Sequence, residues 1–410
     1  MPVSATSLLS RRSAIRAVVA VAGAVALTPA IAGAQTTPST PGTGPLGPGQ
    51  APTTTTNPPR DFTAPSVYFS DPDALTIDSN FSGFQGNSTI ARLWHGDVNG
   101  KPILWAEGPA WNSQGQYLLF SDIPNSRQLR WLEDDGHVSV FRQPTGNSNG
   151  NTFDAQGRQI SFEHGNRRVV RYENDGGITV LAESFQGKRL NSPNDGAVHP
   201  DGAIWFTDPP WGGQLYEGDV DQPGGPSNPD GKINARAGQP AGFPMFKREL
   251  PTQVYRIDPN GTVDMMINAD QILYPNGLCF SPDYKHVYVV GNTSPTDGGN
   301  IFVGDVAADG KSVANVHVLT TCVVDGVKCG SDGLRADVDG NIWSSSNAGR
   351  NVGYNGVTVW DPSGKLLGRL RLPEVIGNIT FGGPKRNRLF MAGSTSLYAY
   401  YTATQGAGLG

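Results

Sequence analysis

The stretch Val198-His-Pro-Asp-Gly-Ala-Ile-Trp-Phe-Thr-Asp208 sets an Asp-Gly turn ahead of an apolar strand that ends in polar residues. Variants of the same phrase stand at residues 111–122, 153–164, 280–289, 336–344 and 381–390, which makes six copies. Most are followed by a second hairpin of the same style, such as Val254-Tyr-Arg-Ile-Asp-Pro-Asn-Gly-Thr-Val263; others lie at 128–140, 169–180 and 357–366. Period-two alternation around Asp-Gly or Asn-Gly is the strongest short-range hairpin signal, so each repeat reads as four antiparallel strands. The turn glycines Gly115, Gly157 and Gly202 lie 42 and 45 residues apart, the length of a propeller blade. The sequence therefore predicts an all-β six-bladed β-propeller with four-stranded blades, in which alternation places Trp205, Trp343, Phe120 and Phe162 in the core. A further candidate strand, Val67-Tyr68-Phe69, is placed to complete the last blade and close the ring.

The composition agrees. In 410 residues there are 53 Gly and 32 Pro, about a fifth of the chain, as many tight turns require. The formal charge is −5 with no basic cluster, so no nucleic-acid partner is expected. Three cysteines exclude a disulfide-dense scaffold or a Cys-built zinc module.

Outside the repeats the chain reads differently. Ser10-Arg11-Arg12-Ser13, an apolar run from Ala17 to Leu27 and Ala32-Gly33-Ala34 make residues 1–34 a secretory signal of twin-arginine type. Its removal takes away three arginines and no acid, moving the charge to −8, and implies a periplasmic or secreted protein. Export would permit a disulfide, and Cys322 and Cys329 flank a turn across which they could pair; Cys279 reads as a buried strand thiol. Residues 35–60, nearly all Thr, Pro, Gly and Ser, read as a linker that buries too little apolar surface to order. The propeller then occupies 61–410, with an inserted Gly/Pro-rich loop at about 211–250. No later segment approaches 18 consecutive apolar residues, so no membrane span is expected.

Short polar motifs precede several of the repeated strands: Ala106-Glu107-Gly108-Pro109, Ser192-Pro193-Asn194-Asp195-Gly196, Tyr274-Pro275-Asn276-Gly277 and Gly330-Ser331-Asp332-Gly333. The innermost strands of a propeller converge on its axis, so Glu107, Asn194, Asn276 and Asp332 are expected to meet there. Two carboxylates and two amide oxygens form a hard, all-oxygen donor set suited to Ca²⁺. Taken singly, each motif is an ordinary turn; their common register is what argues for a metal.

As a set and in this order, EGP, SPND, YPNGL and SDGLRAD resemble the gluconolactonase family, to which senescence-marker protein (regucalcin) belongs, and in particular its bacterial exported lactonase branch. The resemblance spans roughly residues 104–400. It implies a hydrolase that opens sugar lactones such as gluconolactone, with Ca²⁺, or another divalent cation such as Mg²⁺, Mn²⁺ or Zn²⁺, on Glu107, Asn194, Asn276 and Asp332. It also implies Asp332 as the catalytic base. Gly146-Asn-Ser-Asn-Gly-Asn151 resembles the pocket-lining blade of that branch, making Asn149 a substrate-binding candidate. His164 is a second such candidate, either lining the pocket or, as Glu163 and Arg167 beside it suggest, bonding a neighbouring loop. Trp211 is a third, either a wall of the substrate mouth or a loop aromatic over the rim. An Arg two residues before Asn194, seen in some relatives, is Ser192 here. The partner is then a small-molecule lactone and the closed ring a monomer. An aryl-esterase or phosphotriesterase on the same site, or a non-catalytic binding propeller, are the alternatives.

Overall fold

The computed structural model describes residues 71–210, 248–294 and 297–408. Six antiparallel meanders follow one another, each numbered strand by strand from the axis outward. Their innermost strands are Ala106–Asn112, Ser148–Phe153, Gly196–Val198, Leu278–Phe280, Leu334–Ala336 and Ile376–Gly382, which define blades one to six. The six-bladed, four-stranded propeller expected from the repeats is the observed fold. Helix is confined to two 3₁₀ turns, Ser79–Gly83 and Ile123–Asn125, and no helix among the described residues is long and apolar enough to cross a membrane.

The ring closes through an N-terminal strand, but not the one expected. Val67-Tyr68-Phe69 lies outside the described residues, as do the signal, the linker and residues 211–247 of the inserted loop. Ala91–His95 is the strand that pairs with Ser396–Tyr401 and completes blade six, while Ala74–Thr76 adds a fifth strand to blade five. Ala91–His95 lacks the Asp-Gly lead-in of the repeat and finds its partner some 300 residues away, so nothing local marks it.

Apolar side chains of neighbouring blades interlock, with Trp205 and Trp343 among the largest that are wholly buried and with Phe120 and Phe162 also fully enclosed. The seam between blades one and two differs. Its apolar cluster is small, built on Ala110, Leu119 and Phe153, and beside it runs a polar network. Gln128 Nε2 donates to Asn151 Oδ1 (2.9 Å) and Ser161 Oγ (3.1 Å), and Gln159 Nε2 donates to Gln128 Oε1 (3.0 Å). Asn151 Nδ2 in turn donates to Gly108 O (3.0 Å), tying blade two to the residue after Glu107.

Cys322 and Cys329 stand at the base of a hairpin, Val323–Val324 with Val327–Lys328, where the Cys329 N–H donates to Cys322 O (2.8 Å). Both thiols are buried and unbridged, and Cys279 is buried in the innermost strand of blade four.

Candidate active site

Every blade places one amide or carboxylate at the same end of its innermost strand: Glu107, Asn149, Asn194, Asn276, Asp332 and Asn378. Two devices do this. In blades one, two and six the residue lies inside the strand at a β-bulge, where pairing with the second strand slips between Glu107 and Ala110, between Ser148 and Asn151, and between Ile376 and Asn378. A bulge re-aims the side chain out of the regular alternation. In blades three, four and five the residue precedes the strand by two positions and is pinned by the blade's second strand: the Asn194 N–H donates to Thr207 O (3.0 Å) and the Asn276 N–H to Val290 O (2.8 Å). Ser345 Oγ accepts the N–H groups of Asp332 (2.9 Å) and Gly333 (3.1 Å).

Adjacent blades are stitched together at this level. Gly150 N–H donates to Asn194 O (2.7 Å), Gly277 N–H to Asp332 O (2.9 Å) and Gly333 N–H to Gly377 O (2.8 Å). The approach is too close for side chains. A Cβ on Gly108, which has φ +51°, would lie 2.0 Å from Asn149 O.

Of the four residues expected to meet, Glu107 and Asp332 act on each other electrostatically and Asp332 bonds Asn276, while the Asn194 side chain faces His164. Glu107 is buried, 2% exposed, and Asp332 is half-buried. Burial first, and then the charges of Asp332 and Asp195, push the Glu107 carboxyl well above its ordinary value, against hydrogen bonds from Gly108 N (2.8 Å) and Asn378. Burial, with repulsion from Asp195, lifts Asp332 to about 7, opposed by a hydrogen bond with Asn276. Asp195 itself accepts from Gly196 N (2.9 Å), Asn378 Nδ2 (3.1 Å) and Arg335 Nη1 (3.2 Å).

His164 is buried at the end of the second strand of blade two. Its Nε2 lies 3.4 Å from Asn149 Nδ2 and 3.3 Å from Asn194 Nδ2, so it belongs to the ring more than to the loop that Glu163 and Arg167 suggested. Glu163 pairs instead with Arg168 (2.7 Å), and Arg167 Nε donates to Leu190 O (2.7 Å). Burial lowers the His164 pKa to about 3, so the imidazole is neutral and accepts from amide N–H groups. Asn149, with its nitrogen turned to His164, has a buried Oδ1 with no hydrogen-bond partner. Trp211 lies outside the described residues.

Among the described residues no three His, Cys, Asp or Glu side chains form a metal cluster by themselves, so any cation here would depend on the amide oxygens. Asn378 and Arg335 were not anticipated from the sequence. The available signal for Asn378 was Gly377-Asn378, an amide beside a glycine ahead of the last repeat.

The profile of the SMP-30/Gluconolactonase/LRE-like region matches residues 105–395, which holds all six ring residues. The chain belongs to this family. Its relatives include a gluconolactonase of Zymomonas mobilis, 28% identical over 333 residues that cover 76% of this chain and 82% of the relative. Among solved structures, a gluconolactonase from Xanthomonas campestris superposes with a TM-score of 0.64 at 32% identity, covering 83% of this chain and 98% of the other. A calcium-binding regucalcin from Agrobacterium tumefaciens, 18% identical with a TM-score of 0.56, covers 77% of this chain and 96% of its own and shares the fold. The six-bladed ring and its inward-facing polar residues are thus seen here in a member of the SMP-30/gluconolactonase family.

Proposed function

We propose that this chain hydrolyses sugar lactones such as gluconolactone and that it does so with one divalent cation, calcium, at the axial ring. The observation that carries the reading is the pair Glu107 and Asp332: one buried and one half-buried carboxylate from different blades that repel each other, with no ion pair to either among the described residues. Burying like charges without a counter-ion is costly, by several kcal/mol per ion. A divalent cation relieves that repulsion, and the unpartnered Asn149 Oδ1 is a further oxygen available to a ligand. The donors are all oxygens, which favours Ca²⁺ over Zn²⁺. The imidazole at hand, His164, already has its Nε2 committed to two amides.

When bound, the cation supplies Lewis acidity toward the lactone carbonyl and charge to balance the developing oxyanion. The chain does the rest. Asp332 takes a proton from the water that adds to the carbonyl carbon. The ring C–O bond then breaks, and the proton passes to the released alkoxide, so that lactone plus water becomes a hydroxy acid. Glu107 anchors the cation, and Asn194 and Asn276 orient it. Neutral His164 holds the amides of Asn149 and Asn194 in place, leaving Asn149 to meet the substrate. Trp211 is proposed as a wall of the mouth. Export is a separate proposal, resting on residues 1–34, and cell fractionation tests it: protein retained in the cytoplasm at full length rejects it.

Proton release from glucono-δ-lactone, followed with and without EDTA and alongside elemental analysis, tests the function. The expected result is activity lost to chelator, restored by Ca²⁺, and reduced about 10²–10⁴-fold in a folded Asp332→Asn variant. Ordinary turnover by that variant rejects the mechanism. A protein without bound metal or activity is a binding module, and faster turnover of aryl esters or phosphotriesters reassigns the substrate.

A further inference from the structure

Beneath the ring residues sits a charged side chain that the hydrolytic scheme does not use. Arg335 follows Asp332 by three positions on the innermost strand of blade five, is buried, and forms an ion pair with Asp195 of blade three (3.2 Å). Its Nη1 also donates to Leu334 O (2.7 Å). Asp195 Oδ2 receives Asn378 Nδ2 as well (3.1 Å), and Asn378 bonds Glu107. Asp195, Asn378 and Glu107 thus form one connected group, in which Asp195 also acts electrostatically on Asp332. Of the three carboxylates, Asp195 alone has an ion-pair partner among the described residues. Arg335 also lines a small cavity shared with Thr152, Cys279 and Ala407.

Three carboxylates and one guanidinium leave the group at −2. An isolated buried ion pair contributes little to stability, because desolvation consumes most of its Coulomb gain. Its effect on a third charge nearby is another matter. In a partly screened interior, one unit of charge alters the binding of a neighbouring ion by about tenfold or more.

We propose that Arg335 is the fixed countercharge of the ring, holding the net charge at −2 and so matching the site to a single divalent cation rather than a trivalent one. The inference rests on the axial ring being a metal site. Arg335 is a positioning residue by charge and touches no reacting atom.

The test compares Ca²⁺ and Tb³⁺ affinities of the EDTA-stripped full chain, by calorimetry and lanthanide luminescence. Arg335→Met leaves the group at −3, and the Tb³⁺:Ca²⁺ affinity ratio is expected to rise about tenfold or more. Asp195→Asn leaves it at −1, and the ratio is expected to fall. The double variant returns it to −2, with a ratio within about threefold of the unaltered chain. A purely structural role for the pair would weaken both ions together and leave the ratio alone. Should Arg335→Met not fold, Asp195→Asn decides by the direction of its shift. Flat ratios in folded variants of a metal-binding chain overturn this inference and leave the metal site standing; an unaltered chain that binds neither ion overturns both.

Discussion

Gly377→Ala probes the ring where it is most crowded. Gly377 sits in the bulge of blade six, and a Cβ there would lie 2.3 Å from Glu107 Oε1 and 3.0 Å from its Cδ. Ordinary contact begins at 3.4 Å, so the carboxylate must retreat by about 1.1 Å, the difference between 3.4 and 2.3 Å. Gly377 is not at positive φ, so alanine adds no backbone strain and the clash falls on Glu107 alone. Glu107 is held by Gly108 N–H at 2.8 Å, and a shift of that size breaks the hydrogen bond or misdirects the other oxygen. Displacing a metal-holding group through its supports typically costs 10–100-fold in metal affinity, roughly 1.4–2.7 kcal/mol. The assay is calorimetric Ca²⁺ titration of the EDTA-stripped variant, with its thermal melt in EDTA recorded in parallel. The expected outcome is weaker Ca²⁺ binding with a nearly unchanged metal-free melt, since replacing Gly by Ala also reduces unfolded-chain entropy. Gly83→Ala, where a Cβ meets nothing within 4 Å, serves as the control. Binding within twofold of the unaltered chain would show that Glu107 does not hold a cation from its observed position.

Three further outcomes are expected. Asp208 is buried and Asp332 half-buried, and both are lifted to about 7, above an unfolded value near 4, so the native state binds their protons more tightly. That contribution is complete below about pH 4 and is lost as pH rises through 7. The melting temperature of EDTA-treated protein should therefore fall between pH 5 and 8, less steeply with Ca²⁺ present, and a rise over that range contradicts the burial argument. At the seam of blades one and two, Gln128→Ala strips a partner from Asn151, Ser161 and Gln159 and should destabilise by about 1–3 kcal/mol, seen as a melt lowered by several degrees; an unshifted melt would mean that water replaces the amide. Cys279, Cys322 and Cys329 are buried thiols with pKa values pushed up by burial, to about 12 for Cys279 and Cys322, so a thiol reagent should find none in native protein and three in denaturant. A denatured count of one would reveal a Cys322–Cys329 bridge.

The blades were legible in the sequence because their signals are local. Strand alternation and an Asp-Gly or Asn-Gly turn express themselves within a dozen residues, and six repetitions make the architecture unambiguous. Glu107, Asn194, Asn276 and Asp332 were legible for a related reason: each stands one or two residues before a glycine at the head of a repeat, where close packing leaves no room for a Cβ. Asn378 was missed because its strand, Ile376–Gly382, is bulged and its repeat was read from the turn that follows it. His164 was placed only by the fold, since the neighbours that mattered were Asn149 and Asn194, 15 and 30 residues away, and not Glu163 and Arg167 beside it.

From its sequence alone this chain determined six four-stranded blades and the residue types at their axial ends, since hairpin pairing and turn conformation depend on near neighbours. Tertiary structure decided which N-terminal strand closes the ring, that His164 faces Asn149 and Asn194, and that Arg335 pairs with Asp195 across 140 residues. Those outcomes turn on bulges, register and charge in a shared interior, quantities that exist only once distant segments have been brought together.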